Sequence, residues 1–353
     1  MTPDPTVQTR QQGVRRWSSK LPGSVTPAVR GLAIASLVSQ IMIVVTGGAV
    51  RLTASGLGCP TWPRCTAESL VNTPEMGIHG VIEFGNRMLT FVLTVIAFAM
   101  MAALWNMRRD RRDLFFLAVA LLAGIPAQAL IGGITVLTQL NPWVVGWHFI
   151  VSMALVALAT LLVNRARPFP DDGGNPVATG TAGSKVNAPA SKVHGATTTA
   201  SAPTSKTVRQ LLAAIGILTG LAVALGVIVT GSGPHAGDAD APRNGLNSDL
   251  MTRVHVLPVY LLVAATIVAL VLVYRRHHSR HLRRAMVILA VVVLLQGLVG
   301  YIQHFTGLPV ALVALHMLGA SLLVAAATNA IDQGYDRGIP RPERTEQVSP
   351  AGR

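Results

Sequence analysis

Eight apolar stretches of roughly 20 residues run through this chain, near 30–50, 82–104, 114–137, 143–163, 210–231, 252–273, 285–305 and 310–331. A stretch of that length crosses the hydrocarbon core of a bilayer as a helix, which satisfies every backbone N–H and C=O internally. The expected fold is therefore an all-α membrane protein with eight transmembrane helices. Composition agrees: 51% of the 353 residues are hydrophobic and only 12% are charged, against about 25% charged in a soluble domain.

A net charge of +14 would suggest a nucleic-acid partner until the charges are placed. Of the 29 Lys and Arg, 24 fall in the N-tail, the 105–113, 164–209 and 274–284 loops and the C-tail. Arg51, Arg64, Arg87, Arg243 and Arg253 fall on the other side. This asymmetry is the positive-inside pattern of a multi-pass protein of the cell membrane, with both termini and the central loop cytoplasmic. The basic runs Arg108-Arg109-Asp110-Arg111-Arg112 and Arg275-Arg276-His277-His278 then read as lipid-headgroup anchors, and no nucleic-acid partner is expected.

Segment 168–206 is rich in Ala, Thr, Gly, Ser and Pro and lacks periodicity, as a disordered linker does. The organisation expected is a cytoplasmic tail (1–29), an N-terminal four-helix half (30–167), that linker (168–206), a C-terminal four-helix half (207–331) and a second tail (332–353).

The two halves repeat one another. At a constant offset of 168, Gln128 falls on Gln296, Leu130 on Leu298, Gly132 on Gly300, Ile134 on Ile302 and His148 on His316. Leu155-Val156-Ala157 likewise falls on Leu323-Val324-Ala325, and Ala159-Thr160 on Ala327-Thr328. Val45-Thr46-Gly47 echoes Val229-Thr230-Gly231. An even number of spans per half makes these parallel repeats, related by an axis along the membrane normal.

Most of the ten histidines fall in loops. His148, His255 and His316 lie within apolar spans, where an ionisable group is costly and usually functional. His255 and His316 reach the same membrane face from two even-numbered helices of one half. Two imidazoles facing each other inside a helix bundle suit a bis-histidine haem, whereas zinc would want three or four ligands. In the N-terminal half, the position matching His255 is Asn86.

Around it runs Ile78-His79-Gly80-Val81-Ile82-Glu83-Phe84-Gly85-Asn86-Arg87. Helical spacing puts His79, Glu83 and Asn86 on one face. Glu83 reads either as an i, i+4 ion pair with Arg87 or as a carboxylate that handles protons or positions a substrate. Cys59 and Cys65, the two cysteines of the chain, are expected outside the cytoplasm. There an even pair points to a disulfide rather than a metal site, with a redox role left open.

The loop Ser55-Gly56-Leu57-Gly58-Cys59-Pro60-Thr61-Trp62-Pro63-Arg64-Cys65, followed by Ile82-Glu83-Phe84-Gly85-Asn86-Arg87, resembles the haem A synthase family. The resemblance spans all eight helices and their histidines. It implies oxidation of a ring methyl of haem O to a formyl group, giving haem A for terminal oxidases. It further implies a haem b cofactor ligated by His255 and His316, substrate haem facing His148, and Glu83 as the essential carboxylate of the second helix. A haem O synthase and an electron donor are the implied partners, besides membrane lipid. Many members carry histidine where this chain has Asn86, which makes Asn86 and His79 the remaining candidates at the substrate haem. The residues alone also admit a b-type cytochrome that passes electrons from quinol, or a haem transporter.

Overall fold

The computed structural model describes residues 21–167 and 204–335, apart from 236 and 239. Most of both expected tails and of the linker lies outside the described residues. The eight long helices are α1 (Pro27–Leu52), α2 (Gly77–Leu104), α3 (Arg112–Leu137), α4 (Pro142–Arg165), α5 (Lys206–Ser232), α6 (Ser248–Arg275), α7 (Arg280–Phe305) and α8 (Val310–Gly334). All eight are long and apolar enough to cross a membrane, so the chain is a multi-pass membrane protein. Each expected span falls inside one helix. At its start α2 outruns its expected span: it follows a 3-10 turn at Pro74–Met76 and begins early enough to take His79 into its first turn.

Polar caps set several helix starts. Side-chain oxygens of Thr26, Asn141, Ser205, Asn247 and Ser279 accept the backbone N–H of Val29, Trp143, Val208, Leu250 and Leu282. Each cap satisfies a donor that the helix cannot pair for itself.

Each half is a ring of four helices. In the first, α1 packs on α2 and α4, and α3 packs on α2 and α4. In the second, α5 packs on α6 and α8, and α7 packs on α6 and α8. The diagonal partners, α2 with α4 and α6 with α8, make no close backbone approach. The halves meet where α8 lies against α1 and α4, and α5 against α4. Ile41, Val44, Met153 and Val156 fill that seam together with Val223 and Leu318. Small residues let the helices approach there: a Cβ on Gly48 would collide with Met317, and one on Gly146 with Val227.

The bundles are solid at one end only. The buried apolar residues of the first half, such as Val29, Leu104, Leu114 and Leu162, lie at the ends of α1–α4 nearest the α2–α3 turn. Their counterparts Leu212, Val273, Leu282 and Ala330 lie at the matching end of the second half. At that end Asp332 accepts from Asn164 at 3.1 Å and pairs with Arg165 at 3.3 Å, tying α8 to α4. The histidines singled out above sit toward the opposite end, where no such cluster of large buried side chains fills the rings.

Candidate functional site

In the second half, His255 and His316 stand on the diagonal helices α6 and α8. The two imidazoles are near enough for charge on one to be felt at the other. Each ring rests on a glycine of a neighbouring helix. A Cβ on Gly226 would stand 3.2 Å from Cε1 of His255, and one on Gly300 would stand 3.2 Å from Cε1 of His316. That is tighter than an ordinary carbon contact, so any larger residue would push the ring. The Nδ1 of both rings is buried without a formed hydrogen bond. The Ala222 carbonyl, one turn before Gly226, lies beside His255. The Nε2 amide of Gln296 donates to the main-chain carbonyl of His316 at 2.9 Å, fixing α7 against α8 at the level of the ring.

The first half repeats this arrangement with one imidazole. His148 rests on Gly132, where a Cβ would lie 3.3 Å from Cε1, and its Nδ1 is again buried and unpaired. Gln128 donates to the His148 carbonyl at 3.1 Å and also to the Ser152 hydroxyl. Across the ring, α2 presents Asn86. Its side-chain oxygen accepts the Thr46 hydroxyl at 2.8 Å, and Gly47 lies beside its Nδ2.

Glu83 turns toward the cysteine loop. It is 6% exposed. One carboxylate oxygen accepts the Cys59 N–H at 2.6 Å and the other meets Arg87 at 2.5 Å. The i, i+4 pair that the spacing allowed is therefore formed. Arg87 spends its remaining donors on the carbonyls of Cys59 (3.1 Å), Thr61 (3.2 Å) and Arg64 (3.3 Å). Cys59 and Cys65 are joined by a disulfide and fully buried. His79 belongs to the same anchorage: its Nδ1 bonds the Ser55 hydroxyl at 2.9 Å, and Gly58 packs on its backbone. The shared face of α2 thus carries Asn86 toward α1, and Glu83 and His79 toward the loop that follows α1.

The loop also crosses to α3. A Cβ on Gly133 would overlap the Trp62 indole, which lies against the helix backbone there. Beyond the first half, the Gly56 N–H donates to the Gly237 carbonyl at 2.9 Å. Arg51 donates to the carbonyls of His235 at 2.6 Å and Thr230 at 3.0 Å.

Sequence reasoning missed Gly226, the Thr46 anchor of Asn86 and the Trp62 contact. For Gly132 and Gly300 the repeat carried the signal without the reason. A glycine kept beside a kept histidine marks a helix groove that must admit a ring.

Such a protein is a two-fold repeat of membrane four-helix bundles, each with imidazole seated on a glycine of the next helix. Residues 30–328 match the model of the COX15-CtaA family of cytochrome oxidase assembly proteins, and the chain belongs to that family. It is similar to the heme A synthases of Bacillus licheniformis (29% identical over 143 residues, 39% of this chain and 46% of that protein) and Bacillus pumilus (32% over 144 residues, 39% and 46%). It is likewise similar to that of Lysinibacillus sphaericus (30% over 141 residues, 38% and 45%). The matched stretch spans about half the length of these relatives.

Proposed function

We propose that this protein is a haem A synthase, oxidising a methyl group of haem O to the formyl group of haem A. The single observation that carries the reading is the His255–His316 arrangement. Diagonal helices carry two glycine-seated imidazoles at the end of the bundle that its buried apolar core leaves free, a donor set that suits a haem. Buried Nδ1 atoms leave Nε2 as the nitrogen to meet a metal. In this reading His255 and His316 hold haem b, a low-spin centre suited to electron transfer.

The first half is the substrate site. His148 offers one axial imidazole, and Asn86 faces it from α2 without the strength of an iron ligand. The bound haem iron supplies the oxidation chemistry; the protein supplies orientation and electrostatics. Glu83 orders the disulfide loop through Cys59 and Arg87. It is also the buried carboxylate of this half nearest to Asn86 along α2, one turn away, and so the group that can hold or move a proton there. His79 positions the loop through Ser55. Haem O synthase is the expected supplier of substrate and a membrane or periplasmic reductant the electron donor, with both termini on the cytoplasmic side.

Expression in a host that makes haem O, followed by extraction and separation of the haems, tests the reading. Haem A should appear with the intact protein and be absent without it. Haem b alone, with haem O untouched, would defeat it and leave an electron-transfer cytochrome.

A further inference from the structure

In each half one pair of packed helices faces away from the other half, α2 with α3 in the first and α6 with α7 in the second. The seam between each pair, at the histidine end, is the crevice of that half. Both helix pairs are joined by turns at the solid end, residues 105–111 and 276–279. At the histidine end neither pair is joined by a turn of its own. The repeat register that sets Asn86 opposite His255 sets Phe91 opposite Tyr260, and the register that sets Gly132 on Gly300 sets Gly133 on Tyr301. The two crevices are therefore built from matching positions with different chemistry.

In the second half the Tyr260 and Tyr301 hydroxyls are hydrogen-bonded to each other across the gap, one residue beyond the glycine that seats His316. In the first half Phe91 and Gly133 cannot make that bond. The α2–α3 gap is spanned instead by the cysteine loop. Arg87 on α2 grips the Thr61 carbonyl, and Trp62 lies on Gly133 of α3. The loop is held to α2 by polar bonds, and it rests on α3 through the half-buried Trp62 indole. Phe91, Leu130 and Ile134, 65%, 56% and 47% exposed, give the crevice an apolar border toward the bilayer.

We propose that substrate haem exchanges sideways with the bilayer through the α2–α3 crevice, with Trp62 as its removable plug. The Tyr260–Tyr301 bond latches the matching α6–α7 crevice over the resident haem. The inference rests on the assignment of a substrate haem to the first half and a cofactor haem to the second. A porphyrin bearing a long isoprenoid tail partitions into lipid, so an entrance bordered by apolar side chains suits it. A resident cofactor needs retention instead, and a phenol–phenol bond across the seam supplies a hold.

Haem transfer to excess apomyoglobin from the haem-loaded full chain in lipid nanodiscs tests this without relying on catalysis. Wild type should release haem in two phases. His148→Ala should remove the fast one and His316→Ala the slow one. Tyr260→Phe and Tyr301→Phe should each speed the slow phase roughly three- to tenfold, the loss expected for one hydrogen bond, and leave the fast phase unchanged. Trp62→Ala should speed the fast phase alone. A single release rate in wild type, or a slow phase indifferent to both phenylalanine variants, overturns the proposal. So does a fast phase indifferent to Trp62→Ala. A protein that retains no haem in either half defeats the functional reading itself, which separates the two failures.

Discussion

Gln296 donates its side-chain amide to the main-chain carbonyl of His316 at 2.9 Å, and Gln128 does the same for His148 at 3.1 Å. Neither glutamine touches the imidazole. Each holds the backbone that carries it, so ring position is set from the neighbouring helix. Gln296→Leu should lower the stability of the haem-loaded protein by about 1 kcal/mol. The same change should broaden the haem absorption bands, because the ring loses its fixed level. Thermal unfolding followed at the haem band measures both; a variant matching wild type in midpoint and band shape would assign the bond no positioning role.

His255 and His316 are expected to be the axial ligands of a low-spin haem b. Alanine at either should abolish the low-spin spectrum or convert it to high spin, while haem carried by His148 persists. Unchanged spectra in both single variants would refute the ligand assignment.

The glycine seats are steric and should behave so. Gly300→Ala places a Cβ 3.2 Å from the His316 ring. The ring must shift by a few tenths of an ångström. Overpacking of this kind costs roughly 1–3 kcal/mol, read as a lower unfolding midpoint of the haem-loaded protein. Gly297→Ala, on the same helix but with nothing within 4 Å of the added Cβ, is the control. It should leave the spectrum and the midpoint close to wild type.

Asn86 is held by Thr46 at 2.8 Å rather than free in the ring. Asn86→His should move any high-spin haem of the first half toward low spin. Thr46→Val should loosen the side chain and change the affinity of that haem for carbon monoxide, leaving the second half alone. Carbon monoxide difference spectra of the reduced protein check both variants.

Glu83 is expected to combine an anchoring role with a chemical one, and two variants part them. Glu83→Gln keeps an oxygen for the Cys59 N–H but loses the charge that pairs with Arg87. Glu83→Ala loses both. Trypsin cleavage after Arg64 should quicken markedly in Glu83→Ala and only slightly in Glu83→Gln. Both should stop haem A formation while the haem b spectrum stays intact. Full synthase activity in Glu83→Gln would leave the carboxylate with the loop alone. Non-reduced wild type should show no free thiol, since Cys59 and Cys65 are bonded to each other.

The number of spans was legible from the sequence because lipid leaves a backbone no other way to satisfy its polar groups. Eight apolar runs became eight helices, each containing the run that foretold it. The repeat was legible too, since His148 and His316 share a register with their glutamines and glycines. Periodicity cannot say which helices are diagonal. That arrangement, which sets His255 and His316 on opposite helices of one ring, comes from packing among four helices at once. Glu83 shows the same limit. Spacing allowed its pair with Arg87, but its bond to the Cys59 N–H joins residues 24 apart through a loop with no local pattern. The unlike chemistry of Phe91–Gly133 and Tyr260–Tyr301 was present in the residue types all along. Only the tertiary structure shows that the two tyrosines meet and that Trp62 covers Gly133, because closeness across two helices depends on their depth and rotation, which a linear hydrophobic pattern does not specify.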